Sequence, residues 1–206
     1  MKSVVVVDYG VGNIASVRRG FERLGANVEV TSDPGRIGDA SRVVLPGVGA
    51  FAPAMERLEE LGLDAALKRA VEAGSRLLGL CLGYQLLFEE SEEFGTTAGL
   101  GLLKGRVAPF PAGTRTPHVG WNQLRRSPRE RPSLLFSGLD DGAWVYFVHS
   151  FRPEGTDPGD AAASTDYGGL FPAAAERRNV WGCQFHPEKS SGTGRQILAN
   201  FLEAGS

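Results

Sequence analysis

The first eighty residues alternate between two hydrophobic patterns. Runs of β-branched residues, such as residues 3–8, are typical of strands that are buried on both faces of a sheet. Between these runs, apolar residues recur three and four positions apart, as they do on the buried side of a helix. The patterns predict strands at residues 3–8, 28–31, 43–45 and 76–80, and helices at residues 14–24, 51–61 and 63–73. Strands that alternate with helices predict a parallel sheet with helices on both sides.

The second half of the chain is richer in strand-like segments separated by Gly and Pro turns. We expect these segments to extend the sheet, partly in antiparallel fashion, and to form a ribbon at its side. The predicted strands are residues 102–110, 119–124, 143–148, 161–165 and 180–185. A final helix at residues 194–204 is predicted to bury Ile197, Leu198, Phe201 and Leu202.

The length and composition are those of an ordinary globular protein. The predicted loops at residues 109–117 and 127–132 are too short to link two domains, so residues 1–206 are predicted to form one. A formal net charge of −2 gives no indication of a nucleic-acid or lipid surface. Neither a signal peptide nor a membrane helix is predicted. Two cysteines do not make a disulfide framework, which favours a reduced, cytoplasmic protein with thiols available for chemistry.

One of the two cysteines lies in a motif with the form of a nucleophile elbow. A predicted strand runs directly into Gly79-Leu80-Cys81-Leu82-Gly83. Glycines two residues on either side of Cys81 let neighbouring backbone pass without Cβ clashes. A helix that begins near Leu82 would point N–H groups at the sulfur and favour the thiolate, and the Leu82 N–H itself could serve an oxyanion hole. Cys183 has no such surroundings and is interpreted as a core residue.

A histidine and a glutamate close the last predicted strand, in Phe185-His186-Pro187-Glu188. Pro187 ends the strand and keeps His186 extended. Since residues i and i+2 of extended backbone project to the same side, His186 and Glu188 are expected to point together. Alone, they would be a surface histidine beside a solvated glutamate. Together with the elbow, they predict a base that takes the proton of Cys81 and a carboxylate that orients this base.

Three further features could complete a site for acyl transfer. Pro46-Gly47-Val48-Gly49 follows a predicted strand and can present the Val48 N–H as a second oxyanion donor. Gln85 and Glu93 lie along and just after the elbow helix, where they could bind the polar groups of an amino acid. A plain turn is an equally good interpretation of the glycines, and a solvated charge is an equally good interpretation of Glu93.

Together these motifs resemble those of class I glutamine amidotransferases. Four segments also resemble the glutaminase subunits of imidazole glycerol phosphate synthases, and in order they cover essentially the full length. They are Asp8-Tyr9-Gly10-Val11-Gly12-Asn13, Pro117-His118-Val119-Gly120-Trp121-Asn122, Tyr146-Phe147-Val148-His149-Ser150 and Gln184-Phe185-His186-Pro187-Glu188-Lys189-Ser190. The resemblance implies an α/β fold, a flavodoxin-like three-layer sandwich with a central, mostly parallel sheet.

The resemblance also implies an activity and a partner. Cys81 would attack glutamine to give a thioester and ammonia, and water would then release glutamate. The partner would be a cyclase subunit with a (β/α)₈ barrel, bound as a heterodimer. It would use the ammonia to make imidazole glycerol phosphate and an aminoimidazole carboxamide ribotide in histidine biosynthesis.

The roles of single residues follow from the same resemblance. Cys81, His186 and Glu188 match the catalytic triad, and the N–H groups of Val48 and Leu82 match the oxyanion hole. The positions that match glutamine contacts are Gly49, Gln85, Glu93, His149, Ser150 and Phe151. The positions that match the subunit interface are Asn13, Trp121, Asn122 and Lys189.

Two departures from the family pattern lie outside the triad. Val119 stands where methionine is more usual, and Ser150-Phe151 stands where Thr-Tyr is more usual. Phe151 has no hydroxyl, so its contact with glutamine would be through backbone or packing. Because a glutaminase that acted alone would waste glutamine, we expect the oxyanion hole to stay incomplete until the partner binds. The Val48 peptide, flanked by glycines, is the expected movable element.

Two alternative functions remain at this stage. A free-standing cysteine hydrolase, or a glutaminase subunit of another synthase such as pyridoxal phosphate synthase, would keep the triad but leaves residues 117–122 and Lys189 unexplained. A non-enzymatic nucleotide-binding module is suggested by Gly10-Val11-Gly12, but Ala15 replaces the third glycine of that fingerprint. The histidines lack the spacing of metal ligands, so the sequence predicts neither a metal nor a cofactor.

Overall fold

The computed structural model describes residues 2–204 as strands and helices around one large sheet. The strands are β1 (Ser3–Val7), β2 (Asn27–Thr31), β3 (Arg42–Leu45), β4 (Arg76–Leu80), β5 (Glu90–Ser91), β6 (Thr97–Ala98), β7 (Arg106–Pro109), β8 (His118–Gln123), β9 (Arg125–Arg126), β10 (Trp144–His149), β11 (Phe151–Glu154), β12 (Ala161–Asp166), β13 (Leu170–Arg177) and β14 (Val180–Cys183). The α-helices are α1 (Ile14–Glu22), α2 (Pro34–Gly38), α3 (Phe51–Glu60), α4 (Leu63–Glu72), α5 (Leu82–Gln85) and α6 (Ser191–Glu203), and a 3₁₀ helix covers Pro187–Lys189.

The large sheet has eight strands in the order β2-β1-β3-β4-β14-β13-β12-β9. The first five strands pair in parallel, and the last three continue the sheet in antiparallel fashion. The parallel part has the flavodoxin-like order 2-1-3-4-5, with β14 as its fifth strand. The predicted fold class, α/β with a mostly parallel central sheet, is confirmed.

Two hydrophobic cores lie on opposite faces of the sheet. Alternate residues of β1 show the division, because Val4 and Val6 belong to one core and Val5 and Val7 belong to the other. Helices α1 and α6 cover the first core, and α3 and α4 cover the second. The residues of α6 that were predicted to face inward are all buried. The result is the predicted sandwich of three layers.

Smaller elements lie beside the sheet, at the end where β4 meets the elbow. Strands β8 and β10 form an antiparallel ribbon, and β11-β7-β5-β6 form a four-stranded sheet. The ribbon buries Val145 and Phe147 against the first core. Within residues 2–204, no helix combines the length and the apolar character needed to cross a bilayer.

The sequence prediction was wrong at residues 102–110, where the strand begins only at Arg106. The reason is that the preceding segment bonds back to the turn that follows the elbow helix. The N–H groups of Leu102 and Leu103 both donate to the carbonyl of Leu87, at 2.8 and 2.9 Å. These bonds also use carbonyls that a longer helix would need, so α5 has a single turn.

Strand β13, the longest strand within residues 2–204, was not predicted from the sequence. Its run Pro172-Ala173-Ala174-Ala175 contains neither β-branched nor aromatic residues, so intrinsic propensity gives little indication of a strand. Tertiary pairing with β12 and β14 decides the conformation instead. The other predicted strands and helices are present, with ends shifted by up to a few residues.

Candidate active site

The nucleophile elbow has the strained backbone that its motif predicts. Cys81 joins β4 to α5 with φ 53° and ψ −109°, in a region that L-residues rarely occupy. The flanking glycines are required by close backbone contacts. A Cβ on Gly79 would lie 2.6 Å from the Gly83 carbonyl oxygen, and a Cβ on Gly83 would lie 1.8 Å from the Leu45 carbonyl oxygen. The chain therefore holds Cys81 in a fixed, sharply turned position at the carboxyl end of β4.

The sulfur of Cys81 lies between an acceptor and a donor. Its thiol is 3.8 Å from the carbonyl oxygen of Val148 in β10. On the other side, the amide Nε2 of Gln184 donates to the sulfur at 3.9 Å. Since α5 has only one turn, the helix dipole invoked from the sequence contributes less here than a full helix would.

His186 and Glu188 come together, but by a different route from the predicted one. Glu188 lies in the 3₁₀ helix Pro187–Lys189 rather than in extended backbone. This turn brings His186 Nδ1 to 2.7 Å from Glu188 Oε1, and both side chains are almost fully buried. Because the carboxylate accepts from Nδ1, the nitrogen Nε2 is left to face the nucleophile.

The electrostatics of this pair favour a charged imidazole. Burial by itself lowers the pKa of His186, but interactions with Cys81 and Glu188 outweigh it and raise the pKa to about 10. At ordinary hydrogen-bond geometry, His186 Nε2 has no partner within residues 2–204. The imidazole therefore holds its proton beside the sulfur, with Glu188 as the partner of Nδ1.

The ribbon strand β10 fixes the backbone of the histidine. His186 N–H donates to the carbonyl of Tyr146 at 2.9 Å. The buried hydroxyl of Ser190 donates to the carbonyl of His186 at 2.7 Å and accepts from the Tyr146 N–H at 2.9 Å. With the Val148 carbonyl beside the thiol, main-chain atoms of one strand thus contact both Cys81 and His186.

The two predicted oxyanion donors differ in their present contacts. The Leu82 N–H donates to the carbonyl of Gly47 at 3.3 Å, so the loop of residues 46–49 covers it. The Val48 side chain is exposed, and Tyr9 holds the start of the loop by donating its hydroxyl to the carbonyl of Pro46 at 2.8 Å. Burial, with a smaller effect of Cys81, raises the pKa of Tyr9 well above 10, which keeps this hydroxyl a donor. One of the two N–H groups is therefore occupied in this conformation.

A cavity of about 340 Å³ opens beside the sulfur. It brings together Cys81, both predicted oxyanion residues and all six residues that were predicted to contact glutamine. Its lining consists of Val48, Gly49, Cys81, Leu82, Gln85, Glu93, Pro117, Val148, His149, Ser150 and Phe151. The volume is in the range of sites for small molecules.

Hydrogen bonds determine which polar groups of this lining remain available. One oxygen of Glu93 accepts from the N–H of Phe51 at the start of α3, at 2.7 Å, so Glu93 is anchored rather than freely solvated. Gln85 uses its amide nitrogen within the protein, on the carbonyl of Phe151 at 2.9 Å and on Gln184 Oε1 at 3.0 Å. The second oxygen of Glu93 and the oxygen of Gln85 are therefore the groups that a bound molecule could reach.

His149 has no free ring nitrogen for a ligand. Its Nδ1 lies 2.8 Å from the carbonyl oxygen of Phe151, which can only accept, so Nδ1 carries the proton. Its Nε2 lies 3.0 Å from His118 Nδ1 and accepts from it. Burial lowers the pKa of His149 to about 3 and that of His118 to about 4, so both rings are neutral at neutral pH. A contact of His149 with a bound molecule would come from its backbone.

The residues predicted at a subunit interface occupy different positions. Trp121 and Lys189 are exposed, whereas Asn13 and Asn122 are half-buried. The amide of Asn122 points inward, away from Trp121, and donates to the carbonyl of Asp166 at 3.0 Å. Asn13 borders a narrow cleft together with His186 and Glu188.

The outer face of the ribbon carries exposed apolar side chains. Cross-strand pairing places Val119 and Trp121 on the same side as Trp144. These three side chains are 55%, 48% and 52% exposed, which is unusual for large apolar groups that lie together. We call them the apolar face of the ribbon.

The site shows no sign of a metal centre. Within residues 2–204, no group of three or more His, Cys, Asp or Glu side chains is arranged to hold a metal ion. The two cysteines are free thiols, and burial raises the pKa of Cys183 well above its usual value, so this thiol stays protonated.

Comparison with known proteins defines the class. The sequence matches the family described as glutamine amidotransferase class-I over residues 5–204, and the chain belongs to this family. It is 49% identical over 203 residues to the imidazole glycerol phosphate synthase subunit HisH of Moorella thermoacetica, covering 98% of this chain and 95% of the relative. The subunit of the same name from Aquifex aeolicus is 47% identical over 198 residues, with 96% and 94% covered.

Solved structures support the fold. A structure described as a glutamine amidotransferase superposes with a TM-score of 0.76 at 21% identity, covering 97% of both chains. PurLQS from Thermotoga maritima superposes with a TM-score of 0.75 at 21% identity, covering 98% of both chains. At this identity the likeness establishes the fold alone.

Several residues of the site were not found from the sequence. Pro117 and Val148 line the cavity, and Gln184 contacts the sulfur. Ser190 ties the histidine to the ribbon. All four belong to segments that were noticed for their resemblance, but a proline, a valine, a glutamine and a serine in strands or turns have no chemical signature of their own.

Proposed function

We propose that this chain is the glutaminase subunit of an imidazole glycerol phosphate synthase and forms a single domain over residues 1–206. The observation that carries the proposal is the buried pair His186–Glu188 beside Cys81 at a strained elbow. This arrangement supplies a nucleophile, a base and an orienting carboxylate for amide hydrolysis. The 49% identity to a subunit of that name supports the particular synthase.

In the proposed reaction, His186 Nε2 holds the proton that it has taken from Cys81, and the thiolate sulfur attacks the carboxamide carbon of glutamine. The tetrahedral intermediate collapses when His186 returns the proton to the leaving nitrogen, which departs as ammonia and leaves a thioester on Cys81. His186 then removes a proton from water, and the hydroxide attacks the thioester to release glutamate. Glu188 stabilises the imidazolium at each step.

The cavity fits the amino-acid end of glutamine. The free oxygen of Glu93 is suited to the ammonium group of the substrate, because a carboxylate anchored at the start of α3 has a fixed position. The oxygen of Gln85 can accept from the same ammonium. Backbone groups of residues 149–151 are the remaining polar contacts, since the ring nitrogens of His149 are already bonded.

We propose that the oxyanion hole of the isolated chain is incomplete. The support is the bond from the Leu82 N–H to the carbonyl of Gly47, which occupies a donor that the reaction needs. Movement of the loop at residues 46–49 would free this N–H and bring the Val48 N–H to the same oxygen. One removed donor of this kind lowers kcat by roughly 10²–10³-fold, so a closed loop would suppress wasteful hydrolysis.

The proposed partner is a cyclase subunit with a (β/α)₈ barrel, which receives the ammonia. The apolar face of the ribbon suits docking to such a subunit, since large apolar side chains in contact with solvent gain from burial. Trp121 belongs to this face, and Lys189 is exposed in the 3₁₀ helix. Asn13 and Asn122, in contrast, would act at the edge of the contact or through the groups that they touch.

The test is glutamate release from glutamine, measured with and without the cyclase subunit. We expect release to rise at least 100-fold in the complex, to disappear in Cys81→Ala and to persist in the matched control Cys183→Ala. Turnover that persists in Cys81→Ala would overturn the proposed chemistry. An equal rate of glutamate release with and without the cyclase subunit and its ligand would overturn the proposal that the oxyanion hole of the isolated chain is incomplete.

The same experiment tests the alternative that this chain is the glutaminase subunit of a different synthase. The triad alone does not distinguish that alternative, which leaves residues 117–122 and Lys189 unexplained. Activation by the cyclase of histidine biosynthesis supports the proposal, and activation by a pyridoxal phosphate synthase subunit instead would favour the alternative.

A further inference from the structure

Gln184 is a fully buried side chain that none of the proposed steps uses. It follows β14 directly, and its backbone N–H donates to the carbonyl of Ala173 at 2.8 Å. Its side-chain amide contacts two groups: Oε1 lies 3.0 Å from Gln85 Nε2, and Nε2 lies 3.9 Å from the sulfur of Cys81. A buried amide must satisfy its hydrogen-bonding groups, so the orientation of Gln184 has energetic consequences.

One backbone oxygen fixes that orientation. The carbonyl of Phe151 can only accept, so the group of Gln85 at 2.9 Å from it must be the amide nitrogen. The same nitrogen faces Gln184, which must therefore present its oxygen to Gln85. The Gln184 nitrogen therefore faces Cys81. The donors and acceptors in this series of hydrogen bonds cannot be exchanged.

Besides the imidazole of His186, which attracts a thiolate, two uncharged groups contact the sulfur and have opposite effects on its protonation. The carbonyl of Val148 accepts from an S–H group and repels a negative charge, so it favours the thiol. The amide of Gln184 donates, and a donor binds a thiolate more strongly than a thiol. Since α5 has one turn and contributes a small dipole, a fixed N–H at the sulfur matters more here than at an elbow with a long helix.

We propose that Gln184 is a positioning residue that donates its amide N–H to the Cys81 sulfur, holds it facing the cavity and favours the thiolate over the thiol. Gln85 acts as the anchor that keeps this amide turned toward the sulfur, in addition to its proposed contact with glutamine. The inference rests on the proposed role of Cys81 as nucleophile, but its main test requires neither glutamine nor a partner.

The main experiment is alkylation of Cys81 by iodoacetamide as a function of pH, followed by mass spectrometry of the Cys81 peptide. Only the thiolate reacts, so the midpoint of the rate profile reports its formation. We expect Gln184→Met to raise the midpoint by about one pH unit, since one hydrogen bond to a charged group is lost. Gln85→Met removes the anchor and should raise it by less. The control Gln196→Met, on the exposed face of α6, should leave the profile unchanged.

Two further measurements cover a variant that folds poorly. In the unmutated chain labelled with ¹⁵N-glutamine, the side-chain amide proton of Gln184 should shift with pH at the midpoint of alkylation. In the complex, Gln184→Met should lower kcat roughly tenfold near neutral pH, with little change in KM for glutamine. An unchanged alkylation profile in Gln184→Met, or an amide proton of Gln184 that does not respond to pH, would overturn the inference. If the alkylation profile shifts in Gln184→Met but the unmutated complex shows no glutaminase activity, the result would count against the proposed function alone.

Discussion

Replacement of Glu188 by glutamine tests the electrostatics of the site with almost no change in shape. Glu188 Oε1 lies 2.7 Å from His186 Nδ1, and the side chain is 1% exposed. A hydrogen bond to a charged group contributes about 1.5–3 kcal/mol, against about 1 kcal/mol for a neutral one. The loss of about 1–2 kcal/mol of imidazolium stabilisation corresponds to a decrease of roughly 5- to 30-fold in kcat.

The decrease in kcat could be larger, because a glutamine at position 188 could turn either its amide oxygen or its amide nitrogen toward the imidazole. Glu188 Oε2 is buried and has no hydrogen-bond partner among residues 2–204, so none of these residues fixes which end would face the imidazole. An amide nitrogen turned toward Nδ1 would hold the wrong tautomer, and such a change lowers kcat by about 10⁴-fold in a serine protease. The expected decrease in Glu188→Gln is therefore at least about fivefold.

The assay is glutamate release by the complex, together with the pH profile of Cys81 alkylation in the isolated chain. Glu188 helps to raise the pKa of His186 to about 10, so its neutral replacement should let the imidazolium lose its proton at lower pH. Glu56→Gln, at an exposed position of α3, is the matched control. Wild-type kcat and an unchanged profile in Glu188→Gln would refute this account of the site.

Two other predictions concern the stability of the fold around the site. Gly83→Ala would place a Cβ 1.8 Å from the Leu45 carbonyl oxygen and should lower the unfolding free energy by about 3 kcal/mol or more. The control Gly192→Ala, whose Cβ would meet nothing within 4 Å, should change this free energy by less than about 1 kcal/mol. Equal midpoints of urea unfolding in the two variants would contradict the prediction. Burial lowers the pKa of His118 to about 4 and that of His149 to about 3. Their contribution to stability is therefore complete above about pH 6.5 and is lost as the pH falls toward 4. An unfolding free energy that stays constant between pH 7 and pH 5 would contradict this prediction.

The parts of the site that the sequence predicts are those where a residue type has a local signature. Cys81 between Gly79 and Gly83 is such a case, because the clashes that the glycines avoid involve the turn itself. The pairing of His186 with Glu188 was also predicted, although from the wrong backbone conformation. The 3₁₀ turn that brings them together was not, since the i, i+2 argument assumed extended backbone.

The remaining features depend on contacts between distant segments. Gln184 reaches the sulfur because Gln85 and the carbonyl of Phe151 fix its amide, and no single segment records this arrangement. The state of the Leu82 N–H depends on a carbonyl 35 residues earlier in the chain, that of Gly47, so its occupancy could not be predicted. The same holds for the start of β7, because residues 99–103 first bond to the carbonyls of residues 86–89, just after α5.

The ribbon contacts the triad only through main-chain atoms of β10 in the three bonds described above, which reach the His186 N–H, the Ser190 hydroxyl and the Cys81 sulfur. Mutational scanning of β10 would therefore miss these bonds, since replacing Tyr146 or Val148 by alanine leaves the peptide groups in place. Side chains on the outer face of the ribbon are free to diverge as a partner diverges, while the peptide groups continue to hold the histidine and to touch the sulfur. Ester substitution of individual backbone amides is the approach that would expose this connection, because it removes an N–H donor without altering any side chain.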